Sequence, residues 1–365
     1  MTRLGTRTRR PLGATLIAAV LALAIAGCSP AVPTPAVSPS TAPTGSAEAP
    51  SPSPTAPPPS VEPTTSYATA TSFWTADRGL AGETIDQPDG GASGRLLSTT
   101  DAGRTWAVVM ATGAPVLDLA VAGTADAWAL TGCHVGSACQ GRLYHSVDGG
   151  ATWTSAPTDL SWISFVDAGH GWGVAGGSTS TEPPASALRR TADGGRTWTT
   201  VTSPCAGSAV GPLRAVAFRS ATEGMAVCAL TAGAGGELHA VLATRDAGAH
   251  WSVRASTGGA TGGDRVGAIP YGGYIGGMVE AGDGTAWITG DRMVPLVSRD
   301  DGATWTPLGI GDPAADLVSA AWPLDARLGV ALMWAPDRQA TLFEATADGG
   351  RTWVERFAWA ASGSG

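Results

Sequence analysis

The side chains of this 365-residue chain that could do chemistry are few and regularly placed. Four cysteines, Cys133, Cys139, Cys205 and Cys228, are expected to form two disulfides if the compartment is oxidising. Cys133 and Cys139 bracket one short loop; Cys205 precedes a later repeat unit and Cys228 falls near the end of that unit's second strand. Cys133, His134 and Cys139 could instead ligate a metal, but no fourth ligand is identifiable, so no metal and no cofactor is expected. Acids recur at Asp77, Asp126, Asp167, Glu223, Asp283 and Asp325. Such turn acids ordinarily bond their own backbone; arranged as a ring they would attract cations or a basic partner. Asp300-Asp301 lacks the alternating oxygen ligands of a calcium loop. No Ser/His/Asp set, phosphate loop or cofactor motif is present, so no catalytic residue is named. Tyr271 and Tyr274, in a Gly-rich stretch, are the candidate contact surface.

The elements that position these groups come from a repeat. Thr99-Thr100-Asp101-Ala102-Gly103-Arg104-Thr105-Trp106 returns five more times, ending at Trp153, Trp198, Trp251, Trp305 and Trp353. The fixed positions after the leading Ser/Thr are Asp101, Gly103 and Trp106; Asp148, Gly150 and Trp153; Asp193, Gly195 and Trp198; Asp246, Gly248 and Trp251; Asp300, Gly302 and Trp305; Asp348, Gly350 and Trp353. The fourth copy replaces the Thr before Trp with His250. Gly supplies the positive φ of a tight strand-to-strand turn, Ser/Thr and Asp can bond local backbone, and Trp covers the hairpin. About 20 residues upstream of most copies a small residue precedes a bulky one, as in Ala127-Trp128, Gly171-Trp172 and Ala286-Trp287, with an acid shortly before and a short apolar run before that. Each unit thus reads as four short strands. Six units of roughly 49 residues match the length of four-stranded blades.

The six segments resemble the Asp-box of bacterial neuraminidase repeats. That resemblance implies that each box joins the third and fourth strands on the outside of a β-propeller, as a folding element. The expected fold is all-β: one propeller of six four-stranded blades over 67–365, each a continuous segment, a seventh requiring a degenerate copy hidden in the insertions. Boxes and acidic turns then share one face of the disc. Variable loops at 82–95, 132–141, 202–213 and 256–277 occupy the other, where binding is expected. Trp supplies 14 of 23 aromatics. Nine belong to boxes or second strands, leaving Trp74, Trp162, Trp322, Trp334 and Trp359 for inner-strand packing or sugar platforms.

Residues 1–27 carry Arg3, Arg7, Arg9 and Arg10 before an apolar run too short to span a bilayer, the pattern of an export signal. Leu23-Ala24-Ile25-Ala26-Gly27-Cys28 resembles a bacterial lipoprotein signal box, which implies diacylglyceryl attachment at Cys28. The segment 28–66 is rich in Pro, Ser, Thr and Ala and is expected to be a disordered stalk. The expected location is extracytoplasmic, on the outer leaflet of the cell membrane. Without the four signal arginines and the two stalk glutamates, 18 basic residues face 28 acidic ones, a net of −10. Such a domain repels phosphate backbones and anionic headgroups, which excludes nucleic acid and leaves the lipid as anchor.

The acidic-turn, Gly-Trp and box arrangement is similar to the photosystem II stability and assembly factor family. This implies a non-catalytic scaffold that binds a partner protein; the chain itself is expected to be monomeric, with an envelope protein or glycan as partner. That family's basic patch has no counterpart on a domain of net −10. The alternative is a sialidase-like glycosidase or a lectin-like propeller. Against a sialidase, the Phe/Tyr-Arg-Ile-Pro segment is missing and most arginines lie in or beside boxes: Arg104, Arg196, Arg245, Arg299 and Arg351.

Overall fold

The computed structural model describes residues 65–132, 140–175, 187–205, 211–233, 236–257, 267–270, 272–311 and 317–360. The export signal, Cys28, nearly all of the stalk, Cys133, Cys139 and Tyr271 lie outside the described residues. The described strands form six antiparallel meanders, at 66–112, 116–157, 160–201, 213–268, 274–307 and 317–360, each a separate sheet. These are the blades of a propeller. The first strand of each packs on the first strand of the next, and that of blade 6 returns to that of blade 1.

Burial falls from the axis outward, and the sequence of each strand follows it. The first strand of blade 2, Val116–Ala122, is buried along almost its whole length. Its last strand, Thr154–Pro157, is exposed throughout. A strand covered on both faces must be apolar on both, so the inner strands read as continuous hydrophobic runs. Trp128, Trp172 and Trp287 on second strands are fully buried. Phe165 stacks on Trp128 at 3.9 Å and Phe218 on Trp172 at 3.6 Å, each ring lent by the following blade. The indole N–H of Trp128 donates to the Gly194 carbonyl at 2.9 Å and that of Trp172 to Ala247 at 3.3 Å. Both acceptors sit in the next blade's box, so the boxes also register neighbouring blades.

Among the described residues no strand is exchanged to close the ring, in line with the continuous blades expected from the sequence. Side chains close it: Phe73 stacks on Phe343 at 5.5 Å, and Trp106 meets Trp359 at 5.5 Å. Gly103 has φ +76°, and a Cβ there would lie 2.1 Å from the Phe343 ring. The box glycine is thus required twice, for its turn and for the blade 6 to blade 1 contact.

Two local expectations need correction. Residues 82–95 are not a loop; Gly79–Asp86 and Ala92–Thr99 form a long hairpin whose connection is confined to 87–91. Its register puts buried Glu83 opposite Arg95, at 2.8 Å, so the charges are neutralised within the sheet. Blade 4 is five-stranded because Gly267–Ala268 adds parallel to Ser252–Ser256. The segment read as one Gly-rich loop therefore covers an outer edge that would otherwise expose unpaired backbone groups. Cys205 and Cys228 form the expected disulfide, with Cα atoms 5.6 Å apart.

Candidate functional site

The boxes behave as folding elements. Thr99 Oγ1 donates to Asp101 Oδ1 at 2.8 Å and accepts from the Gly103 amide at 3.0 Å. Asp101 also accepts from the Thr105 amide and hydroxyl at 2.9 and 2.7 Å, and Trp106 Nε1 donates to the Gly103 carbonyl at 3.1 Å. The other five boxes repeat this network, with His250 Nδ1 replacing the hydroxyl against Asp246 at 2.7 Å. Bonds from Thr105 hold the Asp101 carboxyl down at about 2, and equivalent bonds do so for Asp148 and Asp193. At Asp246 and Asp348 the leading bonds come from the His250 and Thr352 amides, again to about 2. A carboxylate whose lone pairs are this fully engaged has little capacity left for a ligand.

The turn acids are also consumed locally. Asp167 accepts from the Gly169 and His170 amides, and Asp325 from those of Arg327 and Leu328. Asp283 accepts from Thr285 and, in the next blade, from the Ala326 amide at 2.6 Å. Asp126 faces His145, and Glu223 pairs with Arg219. Turns and boxes share one face: the Ala102 amide donates to Asp77, Gly149 to Ala125, Gly194 to Gly169 and Gly349 to Arg327.

A different pair of acids faces the axis. The inner-strand ends and first turns enclose a central cavity of about 220 Å³ on the box face, walled by Asp118, Glu280, Arg219 and the rings of Trp74, Trp162 and Trp322. A smaller pocket of about 90 Å³ lies deeper and shares Asp118, Trp162 and Trp322 with it. Trp162 from blade 3 forms the floor. Its Nε1 donates to Val216 of blade 4 at 3.0 Å, and its ring lies so close to blade 5 that a Cβ on Gly277 would be 2.5 Å away. At the rim, Trp74 Nε1 donates to Asp126 at 3.0 Å while the Arg78 guanidinium lies 4.3 Å from its ring centre.

Asp118 sits mid-strand in blade 2. Its Oδ1 accepts from the Leu119 amide at 2.8 Å and its Oδ2 from the Ile163 amide of blade 3 at 2.9 Å. Burial nonetheless pushes its carboxyl up to about 7. Glu280 ends the first strand of blade 5 with a wholly buried side chain. Its Oε1 accepts from Arg219 at 2.6 Å, and its buried Oε2 has no partner. Burial outweighs the Arg219 charge and raises Glu280 to about 7. Arg219 also contacts Asp301 at 2.9 Å, tying blade 4 to the box of blade 5. Both carboxyls are thus buried beneath the cavity lining, Asp118 engaged by main-chain amides and Glu280 by Arg219.

The sequence put its candidate contact surface, Tyr271 and Tyr274, on the opposite face, and Tyr271 lies outside the described residues. Tyr274 is half-buried at the start of the first strand of blade 5 and pairs in register with Asp291. Asp118 and Glu280 were not singled out from the sequence, although Asp118 had a visible signal: one acid inside the apolar run Val116–Ala122. Among the tryptophans without an assigned role, Trp359 is buried in the blade 6 to blade 1 core, and Trp74, Trp162 and Trp322 border the cavity. No group of three metal-ligating side chains occurs among the described residues, and none of their helices is long and apolar enough to cross a membrane.

No family model matches the chain, and no curated protein matches its sequence. Solved structures do share its shape. The α-L-arabinofuranosidase Arb93A from Fusarium graminearum, in complex with an iminosugar inhibitor, superposes with a TM-score of 0.51 at 14% identity, over 80% of this chain and 93% of that one. The Hadza microbial sialidase Hz136 gives 0.49 at 15% identity, over 73% and 63%. YCF48 bound to D1 peptide gives 0.42 at 17% identity, over 80% and 83%. At such identities the likeness is one of fold: the chain is a six-bladed all-β propeller.

Proposed function

We propose that this protein is an extracytoplasmic, lipid-anchored propeller that binds a glycan in its central funnel. The observation that carries the reading is the cavity on the box face, which Trp74, Trp162 and Trp322 line together. Indole faces stack on the apolar face of a sugar ring, and buried polar groups fix its hydroxyls. The volume, about 220 Å³, is below the ~300–1,000 Å³ of drug-sized sites. It therefore suits one terminal sugar with the rest of the chain leaving toward solvent. A sugar ligand also fits an acidic domain, because a neutral glycan is not repelled by a net charge of −10.

The test is affinity electrophoresis of the full chain in detergent through gels containing arabinan, xyloglucan or isolated wall polysaccharide. At least one polymer should retard the wild type, and Trp74→Ala should migrate freely. Retardation unchanged by Trp74→Ala, and lost on substituting Tyr271 and Tyr274, would move the site to the loop-rich face. If no polymer retards the protein, the glycan reading fails.

A further inference from the structure

We infer that Trp162 is the specificity-determining residue of the funnel: its indole, laid across the axis, admits the end of a glycan chain and stops it one sugar deep. This rests on the funnel being the glycan site. The register of the inner strands shows why one residue can set the depth. Near the box face Phe73, Val121, Phe165, Phe218, Glu280 and Pro323 each sit opposite the small residue of the second strand's small-bulky pair. Four positions before each of them the pairing shifts by one residue, a bulge repeated in all six blades. A bulge leaves one residue unpaired and bends its strand. The residues that follow it form one layer of the ring: Ala70, Asp118, Trp162, Ala215, Gly277 and Ala320. Five of these side chains are short or absent and the sixth is an indole. A single ring therefore fills the axis that its layer mates leave open.

The indole is fixed where it crosses. It starts on blade 3, and its Nε1 donates to the Val216 carbonyl of blade 4 at 3.0 Å. Its tip, Cη2, reaches blade 5, where a Cβ on Gly277 would lie 2.5 Å from it. Glycine inside a strand commonly marks such a close approach. The cavity of about 220 Å³ above is lined by box-face ends of the inner strands, among them Trp74, Val166 and Leu324. The pocket of about 90 Å³ below is lined by earlier positions, among them Thr69, Gly276 and Ser319. Trp162 and Trp322 border both, and Trp162 is the one that spans from blade 3 to blade 5. A glycan closed off from below can enter only by its end, so the site reads a terminal sugar and leaves the following units outside. A smaller apolar residue at 162 would join the two cavities and make room for a second unit.

The experiment titrates oligosaccharides of one to five units, prepared from each polymer of the panel, into the full chain in detergent. In wild type, lengthening the ligand beyond its first unit should change affinity by less than about threefold, whereas Trp162→Leu should gain about tenfold from the second unit. Trp162→Phe keeps a ring at the site and should retain the wild-type dependence on length. Gly277→Ala displaces the indole, so it should weaken binding of the single sugar in wild type and have no effect in Trp162→Leu, the non-additivity expected of groups in contact. Thermal melts confirm that each variant folds; a purely structural Trp162 would lower the melting point without altering the dependence on length. Affinity that climbs with every added unit in wild type would overturn the inference and leave the funnel as the glycan site. So would equal length dependence in Trp162→Leu and wild type, or single-sugar binding untouched by Gly277→Ala. Binding that survives Trp74→Ala unchanged, or no binding of any series, would instead refute the funnel reading.

Discussion

Asp118→Asn should change the pH dependence of folding in a calculable way. In the native chain burial raises the Asp118 carboxyl from an ordinary 3.8 to about 7. Between those values the folded state holds a proton that the unfolded chain has released, so stability falls as pH rises. Three units at ~1.4 kcal/mol each amount to roughly 4 kcal/mol, present in full below pH 4 and lost by pH 7. Asparagine does not titrate, so its variant lacks this loss. Its amide can accept from only one of the Leu119 and Ile163 N–H groups, which leaves the other unsatisfied at a cost of about 1–3 kcal/mol. The variant should therefore be less stable than wild type at pH 4 and as stable or more stable at pH 8. Glu280 loses stability over a similar window in both proteins, so the difference between their urea midpoints isolates Asp118. Parallel midpoint-versus-pH curves for the two proteins would refute a buried, near-neutral carboxyl at this position.

Other consequences are as direct. The box carboxyls held at about 2 have the opposite sign: they stabilise the fold above pH 4, and thermal melts should show that support draining away between pH 4 and 2. Thr99→Val removes the hydroxyl that accepts from the Gly103 amide in a buried turn, and chemical unfolding should register a loss of about 1–3 kcal/mol. Gly103→Ala forces a side chain to φ +76° and into Phe343, so it should cost more than the ~1–3 kcal/mol of backbone strain alone and quench Trp106–Trp359 packing in near-ultraviolet circular dichroism. Cys205→Ser or Cys228→Ser opens a link spanning 23 residues and should lower stability by about 3 kcal/mol, with reducing agent acting on wild type alone.

The repeating part of the molecule was legible because its causes are local. Each box carries its own hydrogen-bond network within eight residues, so Thr99 to Trp106 specify the turn wherever they occur. Blade number, strand number in five of the six blades and the shared face of turns and boxes followed from counting. The fifth strand of blade 4 was not legible, since Gly267 and Ala268 have no strand propensity and are placed by a neighbouring edge. The funnel acids escaped because attention to recurring acids selects those that bond their own turns. Asp118 and Glu280 belong to no repeat, and only the ring brings blades 2 and 5 around one cavity.

The central claim is that the box-face funnel holds a glycan. Isothermal titration of the polymer that retards the full chain, into wild type, Trp322→Ala and Tyr274→Ala, tests it most directly. Saturable binding to wild type and Tyr274→Ala is expected, with at least a tenfold weaker constant for Trp322→Ala. Full affinity in Trp322→Ala, with loss in Tyr274→Ala, would contradict it.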